Sequence, residues 1–270
     1  MGTYLGRFAI GTSEINAQQG NSWSNPLRRF LMCLGFILCF LPIDVISQKE
    51  HSQGVPRGFV ELSSFDPNII IDLRYCGSEN FLGKQVDGYT HPKCWMTVEA
   101  ATALSKVQTE LRPFGMGLKV FDAYRPQSAV NHFVRWAKDP KDQVKKSSFY
   151  PHISKDKLIS EGYISAKSGH SRGSTIDLTL VRFQTASDSP PQELDMGSPF
   201  DFFGKKSWTT YPNLTSTQRT NRLLLKTLME QNGFIHYSKE WWHFRLRNEP
   251  FPDTYYNFST GGKMIPHREN

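Results

Sequence analysis

The sequence predicts a single α+β domain in which a central, mostly antiparallel sheet is covered by helices. Three observations predict it. Strand and helix signals are mixed along the chain without the strict alternation of a βαβ fold. No internal repeat, low-complexity stretch or second domain boundary appears after residue 50. At 270 residues, 38% apolar and 21% charged, the composition is that of an ordinary globular protein with enough chain to bury a core.

The elements follow in order. "NIIIDLRY" (68–75) is a β-branched run that reads as a strand. "TVEAATALSKVQTELRPFG" (97–115) reads as a helix: Thr97 can cap it, Ala101, Leu104 and Leu111 fall near one face, and Pro113 and Gly115 stop it. "GLKVFDAY" (117–124) is a short buried strand, and "PQSAVNHFVRWAKD" (126–139) enters a helix through Pro126 with Val130, Phe133 and Val134 at helical spacing. Residues 139–160 are polar and read as loop. "TIDLTLVRF" (175–183) alternates as a strand, and 186–204 is a Pro/Gly-rich excursion. "TSTQRTNRLLLKTLMEQNG" (215–233) is the clearest helix, with a Thr215/Gln218 capping box and a closing Gly233. "WWHFRL" (241–246) is a final strand.

The N-terminal region is expected to stand apart from this fold. In "LRRFLMCLGFILCFLPIDVIS" (27–47), two arginines precede an apolar core at 30–41 and a small-residue site at Ser47. The core is too short to cross a bilayer of about 30 Å as a helix, and the pattern is that of a secretory signal, with an uncleaved anchor as the alternative. Residues 1–47 are then extension plus signal, residues 48–270 the exported domain, and no stable membrane span remains after cleavage. The net charge of +7 is spread without a run of five or six basic residues, so the electrostatic stripe that nucleic-acid binding requires is missing. Export would leave only Cys76 and Cys94, which either pair in an oxidising compartment or stay as buried thiols.

Three short segments could carry chemistry. "SGHSRGSTID" (168–177) sets His170 on a turn and Asp177 at a strand start, and Gly173 lets the chain double back between them. Taken alone, a His near an Asp is more often a hydrogen-bonded structural pair. "KEWWHF" (239–244) adds Glu240 and His243. A spacing of three suits one helix face but splits two residues across a regular strand, so Glu240 must sit on a bent entry to the strand. Together His170, Asp177 and His243 make a three-ligand set with an open fourth position, the pattern of a catalytic zinc site, and Glu240 is placed to take a proton from water. A structural zinc site built of cysteines is excluded, because two of the four lie in the signal and the others are eighteen apart. In "FDAYRP" (121–126), Arg125 leaves the end of a buried strand, where a fixed guanidinium can stabilise an oxyanion or simply form a surface ion pair. The other histidines lack a partner motif and read as surface or structural; His236 is the one nearest the site in sequence.

"FDAYRP", "GYISAKSGHSRGSTIDLTLV", "MGSPFDFF", "NRLLLKTLMEQNGF" and "EWWHF…EPFPDTYYNF" together resemble the VanX-type D-alanyl-D-alanine dipeptidases. These are zinc enzymes that share a fold with zinc D-Ala-D-Ala carboxypeptidases and the hedgehog signalling domain. The resemblance runs in order from about Gly58 to Phe258. It implies one Zn2+ per chain held by His170, Asp177 and His243, with Glu240 as general base and Arg125 polarising the scissile carbonyl. It further implies that Asp201 and the backbone carbonyl of Tyr75 receive the substrate ammonium, and that Ser168 meets the C-terminal carboxylate. A bridge between Cys76 and Cys94 is not implied by the family.

The expected activity is therefore zinc-dependent hydrolysis of D-alanyl-D-alanine to two D-alanines. A signal peptide departs from the cytoplasmic members of the family and points to the periplasm, in peptidoglycan peptide turnover or recovery. The competing readings are a carboxypeptidase acting on longer wall peptides, a zinc-stabilised binding module without catalysis, and a basic wall-polymer-binding protein.

Overall fold

The computed structural model describes residues 54–184 and 189–265. The signal sequence read at 27–47 lies outside the described residues. Among those described, no helix is long and apolar enough to cross a membrane.

The chain runs β1 (Phe59–Glu61), α1 (Leu62–Phe65), β2 (Ile70–Ile71), β3 (Trp95–Thr97), α2 (Val98–Leu111), β4 (Met116–Asp122), α3 (Gln127–Lys138), α4 (Lys146–Phe149), β5 (Thr175–Arg182), β6 (Gln192–Glu193), α5 (Ser216–Gln231), β7 (Phe234–His236) and β8 (His243–Leu246). The main sheet has the order β2-β4-β5-β8-β7, with β6 paired to β5. Only the β2–β4 pair is parallel, and the remaining ladders are antiparallel. Helix α2 packs against β4 and α5, and α5 packs against β5 and β7. The mixed, mostly antiparallel architecture is the one the sequence predicts.

The two long helices obey their sequence signals. Thr97 caps α2 by accepting from the Ala100 amide, and Gly115 ends the following turn at φ 64°. Thr215 and Gln218 form the reciprocal capping box of α5. The polar stretch 139–160 is loop apart from the single turn of α4 and a 3-10 turn at Lys155–Lys157.

Three local expectations change. The strand read over 68–75 shrinks to Ile70–Ile71, because the chain turns at Arg74–Cys76 to swing Tyr75 into the interior. The final strand begins at His243 rather than at residue 241. Alternation along β5 gives way to continuous burial from Thr175 to Val181, since both faces of this central strand are covered.

The disulfide expectation is also corrected: Cys76 and Cys94 are free thiols. The Cys76 Sγ donates to the His91 carbonyl oxygen at 3.3 Å, and Cys94 is packed into the core. Burial pushes the Cys76 thiol up to about 12, which removes the thiolate that disulfide exchange requires.

Register positions the functional residues. Asp177 on β5 lies directly opposite Asp122 of β4 and opposite His243 of β8. Directly opposed residues point to the same face. A shift in register between Val120 and Asp122 brings Asp122 into this row.

Candidate active site

The row Asp122–Asp177–His243 is completed by His170, which stands on the 3-10 turn Gly169–Arg172. Ser168 caps that turn through its Oγ, which accepts from the His170 amide at 3.3 Å. Gly173 ends it at φ 80°, and a Cβ there would lie 2.3 Å from the Phe59 ring, so only glycine lets the chain turn back into β5.

The three donor groups converge. His170 Nε2 lies 3.3 Å from His243 Nδ1 and 3.3 Å from Asp177 Oδ2, and His243 Nδ1 lies 2.9 Å from Asp177 Oδ1. Ligands about 2.0–2.1 Å from a tetrahedral zinc are spaced by roughly 3.3 Å, so the donor set fits the ion. The His170 Nδ1–H donates to the Ala123 carbonyl at 2.7 Å, which leaves Nε2 free to face the cluster. Burial acts to raise the Asp177 carboxyl, but His170 and His243 outweigh it and hold this group well below the usual carboxylate range.

Charge balance points the same way. Asp122, Asp177, Asp201 and Glu240 are all buried, at 0%, 2%, 4% and 8% exposure, around the single guanidinium of Arg125. Burial, and then the neighbouring Asp177 charge, push both Asp201 and Glu240 up. A divalent cation in the His/Asp/His cluster would offset this excess of acid in a place where unpaired charge is costly.

Glu240 occupies a turn. Its amide donates to the Tyr237 carbonyl and its carbonyl accepts from the His243 amide, each at 3.2 Å. The turn reconciles a spacing of three with a strand that starts at His243: Glu240 Oε2 comes within 3.7 Å of His243 Nδ1. Trp241 and Trp242 pin the turn as buried core residues.

Arg125 is gripped from several sides. Its Nε donates to Asp122 Oδ2 at 2.8 Å and its Nη2 to Asp177 Oδ2 at 3.3 Å. The guanidinium carbon stands 5.1 Å from the ring centres of both Tyr75 and Phe133. Arg125 is thus a fixed interior cation and not a surface ion pair. Asp122 is the residue that sequence reasoning missed: it also accepts from the Tyr89 hydroxyl at 2.6 Å and lies 3.4 Å from His170 Nδ1. The available signal was an acid inside the buried run "KVFDAY". Asp122→Asn is expected to lower kcat/KM by about 10–100-fold, the usual cost of losing a group that orients a metal site. Steady-state kinetics alongside zinc analysis would check it, and wild-type rates would refute the role.

Asp201 lines the same pocket, where the Tyr75 hydroxyl donates to it at 2.9 Å. The Tyr75 carbonyl accepts from the Val86 amide at 3.0 Å, so the contact this residue makes with Asp201 runs through its side chain. Tyr75, Arg125, Ser168, His170, Asp201 and Glu240 line one cavity of about 200 Å³ together with Asp177 and His243. That is below the roughly 300–1,000 Å³ of drug-sized sites and suits a small substrate. His236 stands apart from the acid cluster, its Nε2 2.7 Å from Thr209 Oγ1, and burial lowers its imidazole to about 4.

The family described as peptidase M15, D-Ala-D-Ala dipeptidase, matches residues 56–261. A D-alanyl-D-alanine dipeptidase of Enterococcus faecalis is 42% identical over 203 residues, covering 75% of this chain and 98% of that protein. One from Enterococcus faecium is 41% identical over 201 residues, covering 74% and 97%. One from Streptomyces coelicolor is 38% identical over 187 residues, covering 69% and 90%.

Proposed function

The chain belongs to the peptidase M15 family of D-Ala-D-Ala dipeptidases, and from that premise we propose that it is a zinc-dependent enzyme that hydrolyses free D-alanyl-D-alanine to two D-alanines. The observation that carries the zinc assignment is the convergence of His170 Nε2, His243 Nδ1 and the Asp177 carboxylate beside Glu240. His170, Asp177 and His243 would hold the ion. When bound, zinc supplies a Lewis acid that eases ionisation of water and polarises a carbonyl.

The chain's own residues account for the remaining chemistry. Asp201 accepts the substrate ammonium, Ser168 meets the terminal carboxylate, and Arg125 faces the scissile carbonyl. Glu240 takes a proton from the attacking water as its oxygen bonds to the carbonyl carbon. The C–N bond then breaks, and Glu240 passes that proton to the leaving amine. Arg125 offsets the negative charge that develops on the carbonyl oxygen. The aromatic wall of Phe81, Phe133 and Phe203 keeps the pocket dry, which strengthens these interactions.

Asp201 favours a dipeptidase over a carboxypeptidase. An acylated amine would leave its buried carboxylate without a cation. N-acetyl-D-Ala-D-Ala is therefore expected to show a kcat/KM about 10–100-fold below that of the free dipeptide, the worth of one charged hydrogen bond. Equal rates on the two substrates would overturn the dipeptide reading in favour of the carboxypeptidase.

The signal-like segment at 27–47 supports action outside the inner membrane, in the periplasm. D-Ala-D-Ala met there comes from wall-peptide turnover or is recovered as a nutrient. Cell fractionation tests this placement, and activity confined to the cytosol would remove it.

A further inference from the structure

Asp201 and Glu240 come from separate segments, and neither residue lies in a helix or strand. Asp201 has φ 61° and is the only non-glycine residue with positive φ among the described residues. Such a backbone persists only where the surroundings over-determine it.

Arg222 of α5 lies behind this segment, 1% exposed. Its guanidinium fork is spent on carbonyl oxygens: Nε on Met196 at 2.6 Å, Nη1 on Trp208 at 2.7 Å and Nη2 on Lys206 at 2.9 Å. Those carbonyls flank Asp201 on both sides, so one side chain closes the segment into a loop. A lysine, with one compact ammonium, could not reproduce the fork.

Ser198 extends the grip to the other carboxylate. Its Oγ accepts from Trp241 Nε1 at 3.0 Å and lies 2.9 Å from Ser207 Oγ. The Ser207 hydroxyl donates to the Phe202 carbonyl at 2.6 Å, and the Trp241 amide donates to the Ser207 carbonyl at 3.0 Å. Phe202 follows Asp201 directly, and Trp241 follows Glu240 directly. The network therefore holds the neighbour of each pocket carboxylate, and Arg222 Nη2 comes within 3.5 Å of its central serine.

We infer that Arg222 and Ser198 are positioning residues that set the separation of Asp201 from Glu240, and hence the span between the substrate's ammonium and its scissile bond. Neither touches the cavity. The inference rests on the proposed roles of Asp201 and Glu240.

The test uses zinc-loaded enzyme carrying Arg222→Lys or Ser198→Ala. Arg222→Lys is expected to raise KM for D-Ala-D-Ala about tenfold. Placed in an inactive Glu240→Ala background, it is expected to weaken D-Ala-D-Ala binding, measured by calorimetry, by a similar factor. In an Asp201→Asn background, Arg222→Lys should add little, because the group it positions is already gone. Ser198→Ala is expected to lower kcat several-fold with KM nearly unchanged, at wild-type zinc content. Wild-type KM and binding in Arg222→Lys, full additivity with Asp201→Asn, or wild-type kcat in Ser198→Ala would each overturn the inference. If Arg222→Lys does not fold, Ser198→Ala decides, since it removes only a hydroxyl. Failure of the underlying reading shows separately, as wild-type enzyme that neither binds nor cleaves D-Ala-D-Ala.

Discussion

Glu240→Ala is expected to retain zinc and to lose about 10²–10⁴-fold in kcat, the range for removing a positioned acid–base group. Glu240 stands outside the triad of donors, and its carboxylate reaches only one of them, at 3.7 Å from His243 Nδ1. Its removal therefore leaves all three donor atoms in place. It also takes away an interior acid that burial and the charges of Asp177 and Asp201 already push upward, so the variant is expected to fold. The sign of the pH dependence follows from the same role. A base works only when ionised, so wild-type turnover falls as pH drops through the Glu240 pKa. Zinc analysis and steady-state kinetics on one preparation would settle the assignment. Parallel loss of metal and rate would make Glu240 a ligand and end its role as the base.

His243→Ala is expected to lose the metal itself, and turnover with it. His243 is the cross-strand partner of Asp177, and its Nδ1 lies 2.9 Å from Oδ1 and 3.3 Å from His170 Nε2. Removing it leaves two protein donors, one short of the three that a catalytic zinc site uses. A readout independent of activity is available. Zinc at 100 times its Kd stabilises a folded protein by about 2.7 kcal/mol, so added zinc should raise the Tm of the apo wild type and leave that of the variant unmoved. An equal Tm shift in both proteins would show that the ion binds elsewhere.

How much of this site was legible in the sequence depends on how local each part is. His170 and Asp177 sit on one turn and the strand that follows it, with Gly173 supplying the left-handed step, so their proximity follows from short-range geometry. Glu240 and His243 were also near in sequence; strand periodicity alone would separate them, so the sequence required a bent entry at Glu240, and the turn ending at His243 supplies it. Asp122 and Arg222 gave only a faint signal. Each is a charged residue inside an apolar or helical run, and its partners lie on other segments: Tyr89 for one, and the Met196 and Trp208 carbonyls for the other. The Cys76–Cys94 expectation failed for a related reason, because side-chain direction and burial are properties of packing.

By itself the sequence determined the two longest helices with their caps, the mixed α+β class, and the identity of the residues able to hold a metal. These rest on periodicity, capping chemistry and motif, which act over a few residues. Only the tertiary structure decided that Asp122, Asp177 and His243 share one row across β4, β5 and β8, and that Asp201 and Glu240 line one cavity. Strand register is set by packing between distant segments, and a slip of one residue in a strand would turn its member of the Asp122–Asp177–His243 row to the opposite face.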